Sequence, residues 1–186
     1  MTKLLGISGS LRRGSYNSAL LRAATKLMPP EATLEVASIR GIPLYDYDVE
    51  VQGMPAIVTT LKEAIVAVDG VLLVTPEYNS SVPPLVKNTI DWITRVQDAN
   101  EPGGQGFREK PFAIAAASES RLGGSRALSA LRLILSACQA TVIPSQLALS
   151  FADQAYDDMD RLKNPSDIEA MRALVRQLIE VSQRTM

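Results

Sequence analysis

The chain contains no histidine. Ser-His and Cys-His nucleophilic pairs are therefore excluded, and so is any metal site that needs an imidazole ligand. There is one cysteine, Cys138, which excludes an intramolecular disulfide, a CxxC redox pair and a cysteine-ligated cluster. It ends the apolar run Leu133-Ile134-Leu135-Ser136-Ala137-Cys138, which reads as helix, so a buried structural thiol is expected. Charge of one sign is also lacking. Nineteen basic against twenty acidic side chains leave a net charge of -1, with no block of like charge suited to a nucleic-acid backbone or an anionic membrane. Long hydrophobic runs are missing too. The stretch from Ala64 to Val74 is interrupted by Asp69 and Gly70 and is unfit to span a bilayer. Met1-Thr2-Lys3 leads directly into Leu4-Leu5-Gly6-Ile7, which is too short for the apolar region of a signal peptide. These absences predict a cytoplasmic protein with neither a nucleic-acid nor a membrane partner. They reveal no catalytic side-chain set and no metal site, so difficult chemistry must come from a bound cofactor.

What is present is the balance of an ordinary globular domain. Hydrophobic residues make up 46% and charged residues 21% of 186, which suits a single domain over residues 1–186. Short apolar runs alternate with longer helical ones. Strands are predicted at Lys3–Ser8, Thr33–Ser38, Val71–Thr75 and Phe112–Ala117, with a last, interrupted one at Thr141–Ile143 and Gln146–Leu149. Helices are predicted at Asn17–Met28, Pro55–Val68, Leu85–Val96 and from about Ser125 to Gln139. A C-terminal helix follows Pro165, with Ser166 and Glu169 as a capping box and Ile168, Met171, Val175, Leu178 and Ser182 along one face. Five strands alternating with helices predict an α/β fold, a five-stranded parallel sheet with helices on both faces. Ligands of such sheets sit outside the carboxyl ends of the strands, where strand order reverses.

Three loops therefore stand out. The first, Gly9-Ser10-Leu11-Arg12-Arg13-Gly14-Ser15-Tyr16-Asn17, joins a strand to a helix and suits a phosphate, because helix-terminal N–H groups and the macrodipole favour an anion. It is not a Walker A loop, since Ser15 stands where the lysine belongs, and GxGxxG is absent because Gly6 and Gly9 are spaced as GxxG. An ordinary βα turn explains its Gly and Ser equally well. The second, Thr75-Pro76-Glu77-Tyr78-Asn79-Ser80-Ser81-Val82-Pro83-Pro84, offers an aromatic among prolines and small polar residues, which suits a flat polar ring. The alternative is a proline-stiffened turn with a surface tyrosine. In the third, Ser118-Glu119-Ser120-Arg121-Leu122-Gly123-Gly124, the paired glycines admit close approach to a ligand or to another segment.

Gly6-Ile7-Ser8-Gly9-Ser10-Leu11-Arg12, Ser15-Tyr16-Asn17, Thr75-Pro76-Glu77-Tyr78-Asn79 and Lys87-Asn88-Thr89-Ile90-Asp91-Trp92 together resemble the bacterial NAD(P)H-dependent FMN reductase family, in particular its quinone and chromate reductases. The resemblance covers nearly the whole chain and is weakest between Asp98 and Glu109. It implies a flavodoxin-like fold and non-covalent FMN, with Ser10, Arg12, Ser15 and Asn17 at the phosphate. Pro76, Glu77, Tyr78 and Asn79 would line the isoalloxazine, and Ser118 would touch it from the third loop. It further implies that NADH or NADPH gives a hydride to the flavin. A small acceptor, such as a quinone, free flavin, chromate or a ferric complex, then takes the electrons, and the working unit is a homodimer or homotetramer. Two departures, Ser120 where the family often has glycine and Pro83-Pro84 where variants have proline-glycine, bear on substrate preference. Lys87, Asn88, Asp91 and Trp92 read more simply as a helix with one polar face and Trp92 turned inward. A one-electron flavodoxin-type carrier and a flavin-dependent regulatory module are the competing readings. Against the first, a carrier normally presents a strongly acidic surface, which this chain lacks.

Overall fold

A computed structural model describes residues 1–96 and 101–184. Strands β1 (Thr2–Ser8), β2 (Ala32–Ala37), β3 (Gly70–Val74), β4 (Pro111–Ala117) and β5 (Thr141–Leu149) form one sheet in the order β2-β1-β3-β4-β5. Every pairing is parallel. The helices are α1 (Tyr16–Lys26), α2 (Tyr47–Glu50), α3 (Ala56–Val66), α4 (Pro84–Ile93), α5 (Ser125–Ala137) and α6 (Pro165–Arg184). This is the flavodoxin-like arrangement. Among the described residues no helix is long and apolar enough to cross a membrane.

The central strands β3 and β4 are buried along their whole length, because both sheet faces are covered. Alternate residues serve opposite cores. Leu72 and Val74 join Leu20 and Leu21 of α1 and Leu174 and Leu178 of α6. Val71 and Leu73 join Leu61 and Ile65 of α3, Ile90 and Trp92 of α4, and Leu128 and Leu131 of α5. From β1 the chain builds outward to β2 and then returns to place β3 on the other side of β1. The carboxyl ends of β1 and β3 thus border the crevice where strand order reverses.

Several element ends differ from the sequence expectation for local reasons. Pro55 is the cap before α3 and not its first residue, and α4 begins on Pro84, where a missing N–H costs no helical bond. The predicted gap in the last strand is a register shift. Phe112 pairs with Val142 and Ile114 with Gln146, so β5 bulges at Pro144-Ser145, where proline cannot donate to the ladder. The capping box at Ser166 and Glu169 is not formed. Asn164 Oδ1 instead accepts from the Ser166 N–H and hydroxyl, each at 3.0 Å, while Glu169 pairs with Arg176. With Pro165 opening the helix, the cap falls two residues earlier, on Asn164. Helix α2, unforeseen between β2 and α3, is one short turn capped by Asp46, whose carboxylate accepts the Asp48 N–H at 2.8 Å.

Candidate cofactor site

The first loop leaves β1 through Gly9, whose N–H donates to the Val74 carbonyl at 2.7 Å. A Cβ there would fall 2.3 Å from Val86 Cγ2, so only glycine lets the strand end pass beneath α4. Ser15 caps α1, its hydroxyl accepting the Ser18 N–H at 3.4 Å. Asn17 is buried and fully engaged with the far side of the crevice. Its amide Nδ2 donates to the Ala117 carbonyl at 3.0 Å, and its Oδ1 accepts the Ala117 N–H at 2.9 Å. Sequence reasoning had Asn17 at the phosphate; the bonds it makes tie the start of α1 to the end of β4. Arg12 is exposed, and its guanidinium lies 5.1 Å from the centroid of the Tyr16 ring.

The second loop is stiffer than a proline-rich turn alone would be. Tyr78 and Ser81 exchange backbone hydrogen bonds at 2.9 and 3.0 Å, closing a two-residue hairpin. Its tip, Asn79 and Ser80, has φ of 49° and 64°, the left-handed conformation that such turns demand and that asparagine tolerates well. Asn79 therefore shapes the loop, and it does not line the cavity described below. Glu77 reaches α5: its carboxylate accepts the Arg126 N–H at 3.0 Å and the Ala127 N–H at 3.3 Å, and it pairs with the Arg126 guanidinium. A carboxylate at a helix N-terminus is favourably placed against the macrodipole. In the third loop, Ser118 accepts the Ser120 N–H on its hydroxyl at 3.2 Å. The paired glycines serve another segment: a Cβ on Gly123 would lie 2.6 Å from the Ala148 carbonyl group, and one on Gly124 2.6 Å from Ala116 Cβ.

Together the loops enclose an open cavity of about 300 Å³. Ser10, Arg12, Ser15 and Asn17 line it from the first loop, Pro76, Glu77 and Tyr78 from the second, and Ser118 from the third. Tyr16 and Glu119, which sequence reasoning did not single out, line it as well. Both sit inside motifs already quoted, but nothing in their spacing shows that they would face each other. The Glu119 carboxylate accepts from the Tyr16 hydroxyl, which raises the tyrosine's pKa above its ordinary value, with burial adding to the effect. The donor set fits FMN. One end gathers two serine hydroxyls, a guanidinium and the first N–H groups of α1, which have no helical partner, as a phosphate monoester requires. Of the carboxylates at the cavity, Glu77 is matched by Arg126, and Arg12 brings a cation to the phosphate end.

Other polar candidates lie elsewhere. Trp92 is fully buried and its indole N–H donates to the Pro43 carbonyl at 2.8 Å. Asn88 donates to that same carbonyl and accepts the Tyr45 N–H at 2.7 Å, while Lys87 and Asp91 pair on the surface of α4. This group pins the loop after β2 onto α4. Cys138 is half-buried, not fully buried as expected, because it ends α5; burial and then the Asp91 charge push its thiol above the ordinary value.

A protein-family model described as NADPH-dependent FMN reductase matches residues 2–154. An NAD(P)H-dependent FMN reductase of Pseudomonas aeruginosa is 42% identical over 182 residues, 97% of this chain and 93% of the relative. A quinone reductase of Escherichia coli is 44% identical over 137 residues, covering 72% of this chain and 69% of the relative. The solved structure of FerB, a flavoenzyme NAD(P)H:(acceptor) oxidoreductase from Paracoccus denitrificans, superposes with a TM-score of 0.86 at 26% identity, covering 99% and 98% of the two chains.

Proposed function

The chain belongs to the NADPH-dependent FMN reductase family and is an FMN-containing NAD(P)H-dependent oxidoreductase, and from that premise we propose how its residues divide the work. The observation that carries the proposal is the cavity at the ends of β1, β3 and β4, with Arg12 and serine hydroxyls at one end and Pro76 and Tyr78 at the other. FMN held there would supply the two-electron chemistry between a reduced nicotinamide and a small acceptor. Arg12, Ser10, Ser15 and the amides at the start of α1 hold the phosphate. Pro76, Glu77 and Tyr78, in a hairpin shaped by Asn79, support the ring, and Ser118 meets it from the opposite loop. Asn17 sets the spacing between these two walls. A quinone is the proposed acceptor, as the name of the E. coli relative suggests.

The whole chain 1–186 acts as one FMN-binding domain in the cytoplasm. The working unit is a homodimer or homotetramer, because the loops around the cavity expose Tyr78, Leu122 and Phe151. The contact runs along α4 and the polar segment after it, of which residues 97–100 lie outside the described residues.

Anaerobic stopped-flow spectroscopy tests the reading. The bound flavin should bleach rapidly by two electrons with NADPH or NADH and regain its colour with one equivalent of a benzoquinone. Very slow bleaching, or a reduced flavin indifferent to quinone, would favour a carrier or a sensor.

A further inference from the structure

Another cavity, of about 350 Å³, lies between the carboxyl-terminal half of α1, the loop after β5 and the first turns of α6. It shares no lining residue with the cofactor cavity. Lys26, on its rim, stands about 15 Å along α1 from Tyr16, at roughly 1.5 Å of rise per residue. The floor is aliphatic: Ala23 and Leu162 are buried, and Leu27 and Ile168 are half-buried. One wall is held rigidly by its own backbone. Tyr156 and Leu162 form an antiparallel bridge, the Asp157 N–H donates to the Arg161 carbonyl at 2.9 Å, and the Lys163 N–H donates to the Ala155 carbonyl at 3.0 Å. The cavity is thus formed before any ligand arrives, which removes an ordering cost from binding.

Its charged lining is four cations, Lys26, Arg161, Lys163 and Arg172, and one carboxylate, Asp157. Two of the cations are engaged, Arg161 with Asp157 at 2.7 Å and Lys26 with the Met159 carbonyl. The side chains of Lys163 and Arg172 bond to nothing among the described residues. Neighbouring carboxylates do not serve them: Asp160 holds Arg22, Glu169 holds Arg176, and Asp158 and Asp167 lie outside the lining. A guanidinium fork and an ammonium above an aliphatic floor match an anion that carries an apolar tail. A carboxylate suits the planar fork, and a saturated chain suits a floor without an aromatic ring. Small-ligand pockets run from about 300 to 1,000 Å³, so a cavity at the low end of that range takes a chain of medium length. We propose that this cavity binds a medium-chain aliphatic carboxylate, its chain on Ala23, Leu27, Leu162 and Ile168 and its head at Lys163 and Arg172.

Titration calorimetry of the FMN-loaded protein with octanoate, 1-octanol and inorganic phosphate tests the site. Octanoate should bind about tenfold more tightly than either of the others, because the alcohol lacks the charge and phosphate lacks the chain. Arg172→Ala and Lys163→Ala should each weaken octanoate about tenfold, the worth of one charge-assisted hydrogen bond, and leave FMN affinity unchanged. Saturating octanoate should also raise the melting temperature of the wild type more than that of either variant. Octanol bound as tightly as octanoate would show that the cations play no part. Phosphate bound as tightly would show that the floor plays none, and either result would overturn the proposal. So would no octanoate binding at all, or undiminished binding in either variant, since the ligand would then sit elsewhere, the open side of the flavin included. Both side chains are exposed and unbonded, and the wild-type comparison of three probes stands without the variants. No step depends on turnover, so the result is separate from that of the reductase reading.

Discussion

Arg12 lines the cofactor cavity, and its contact with Tyr16 places its charge there. Losing that charge matters only to a ligand that carries a phosphate. Arg12→Ala should weaken FMN about tenfold to a hundredfold, at roughly 1.5–3 kcal/mol for a charge-assisted bond, and leave riboflavin nearly unaffected. Fluorescence titration with both flavins checks this, and equal losses would show that Arg12 acts on the loop's fold. Asn17 is the contrasting case. Its amide satisfies both backbone groups of Ala117 in a buried setting, so Asn17→Ala should cost about 2–3 kcal/mol in denaturant unfolding. It should weaken FMN and riboflavin alike. A stable variant that loses FMN alone would return Asn17 to the phosphate. Both residues were visible in the sequence as polar groups in a strand-to-helix loop. Which of them faces a ligand and which a backbone was not, because the partner of Asn17 lies one hundred positions away. The partners of Glu77 eluded the sequence for the same reason, lying on α5.

Elements were more legible than partners. Apolar runs bounded by glycine and proline located every strand and the five longer helices to within a few residues, since burial on both faces leaves an unmistakable pattern in β3 and β4. Caps and bulges were not legible, because several nearby residues compete for each. The loop between β5 and α6 shows what such local bonding does. Asp157 accepts the N–H groups of Met159 and Arg161, both at 2.9 Å, and pairs with the Arg161 guanidinium at 2.7 Å. These bonds, those to Arg161 foremost, hold its pKa down at about 2 against an ordinary 3.8. A depressed carboxylate stabilises the fold fully above its unfolded value and loses that contribution as pH falls through the folded one. Wild type should therefore melt above Asp157→Asn at pH 5, and the difference should vanish as the pH drops from about 4 to about 2. A gap independent of pH in calorimetric scans would mean that geometry, not charge, is what the variant loses.

Across the whole molecule, the carboxyl edge of the sheet carries both the cofactor cavity and apolar side chains left in water, Tyr78 at 49% and Phe151 at 52% exposure. A flat ring held there by a lone chain would be wet on one side, whereas pockets for such ligands usually bury most of them. Light scattering of the FMN-loaded protein at micromolar concentration should give at least twice the 20.1 kDa of one chain. A fully active species at that single mass would sink the proposal. The clasp of Asn17 on Ala117 also orders events during synthesis. A nascent chain that has not yet delivered β4 from the ribosome carries the complete phosphate loop in its sequence, but that loop has nothing to close against. Flavin uptake is thus tied to the second half of translation, and truncated products ending before Ala117 should emerge colourless. A yellow protein has, in effect, passed inspection of its long-range topology.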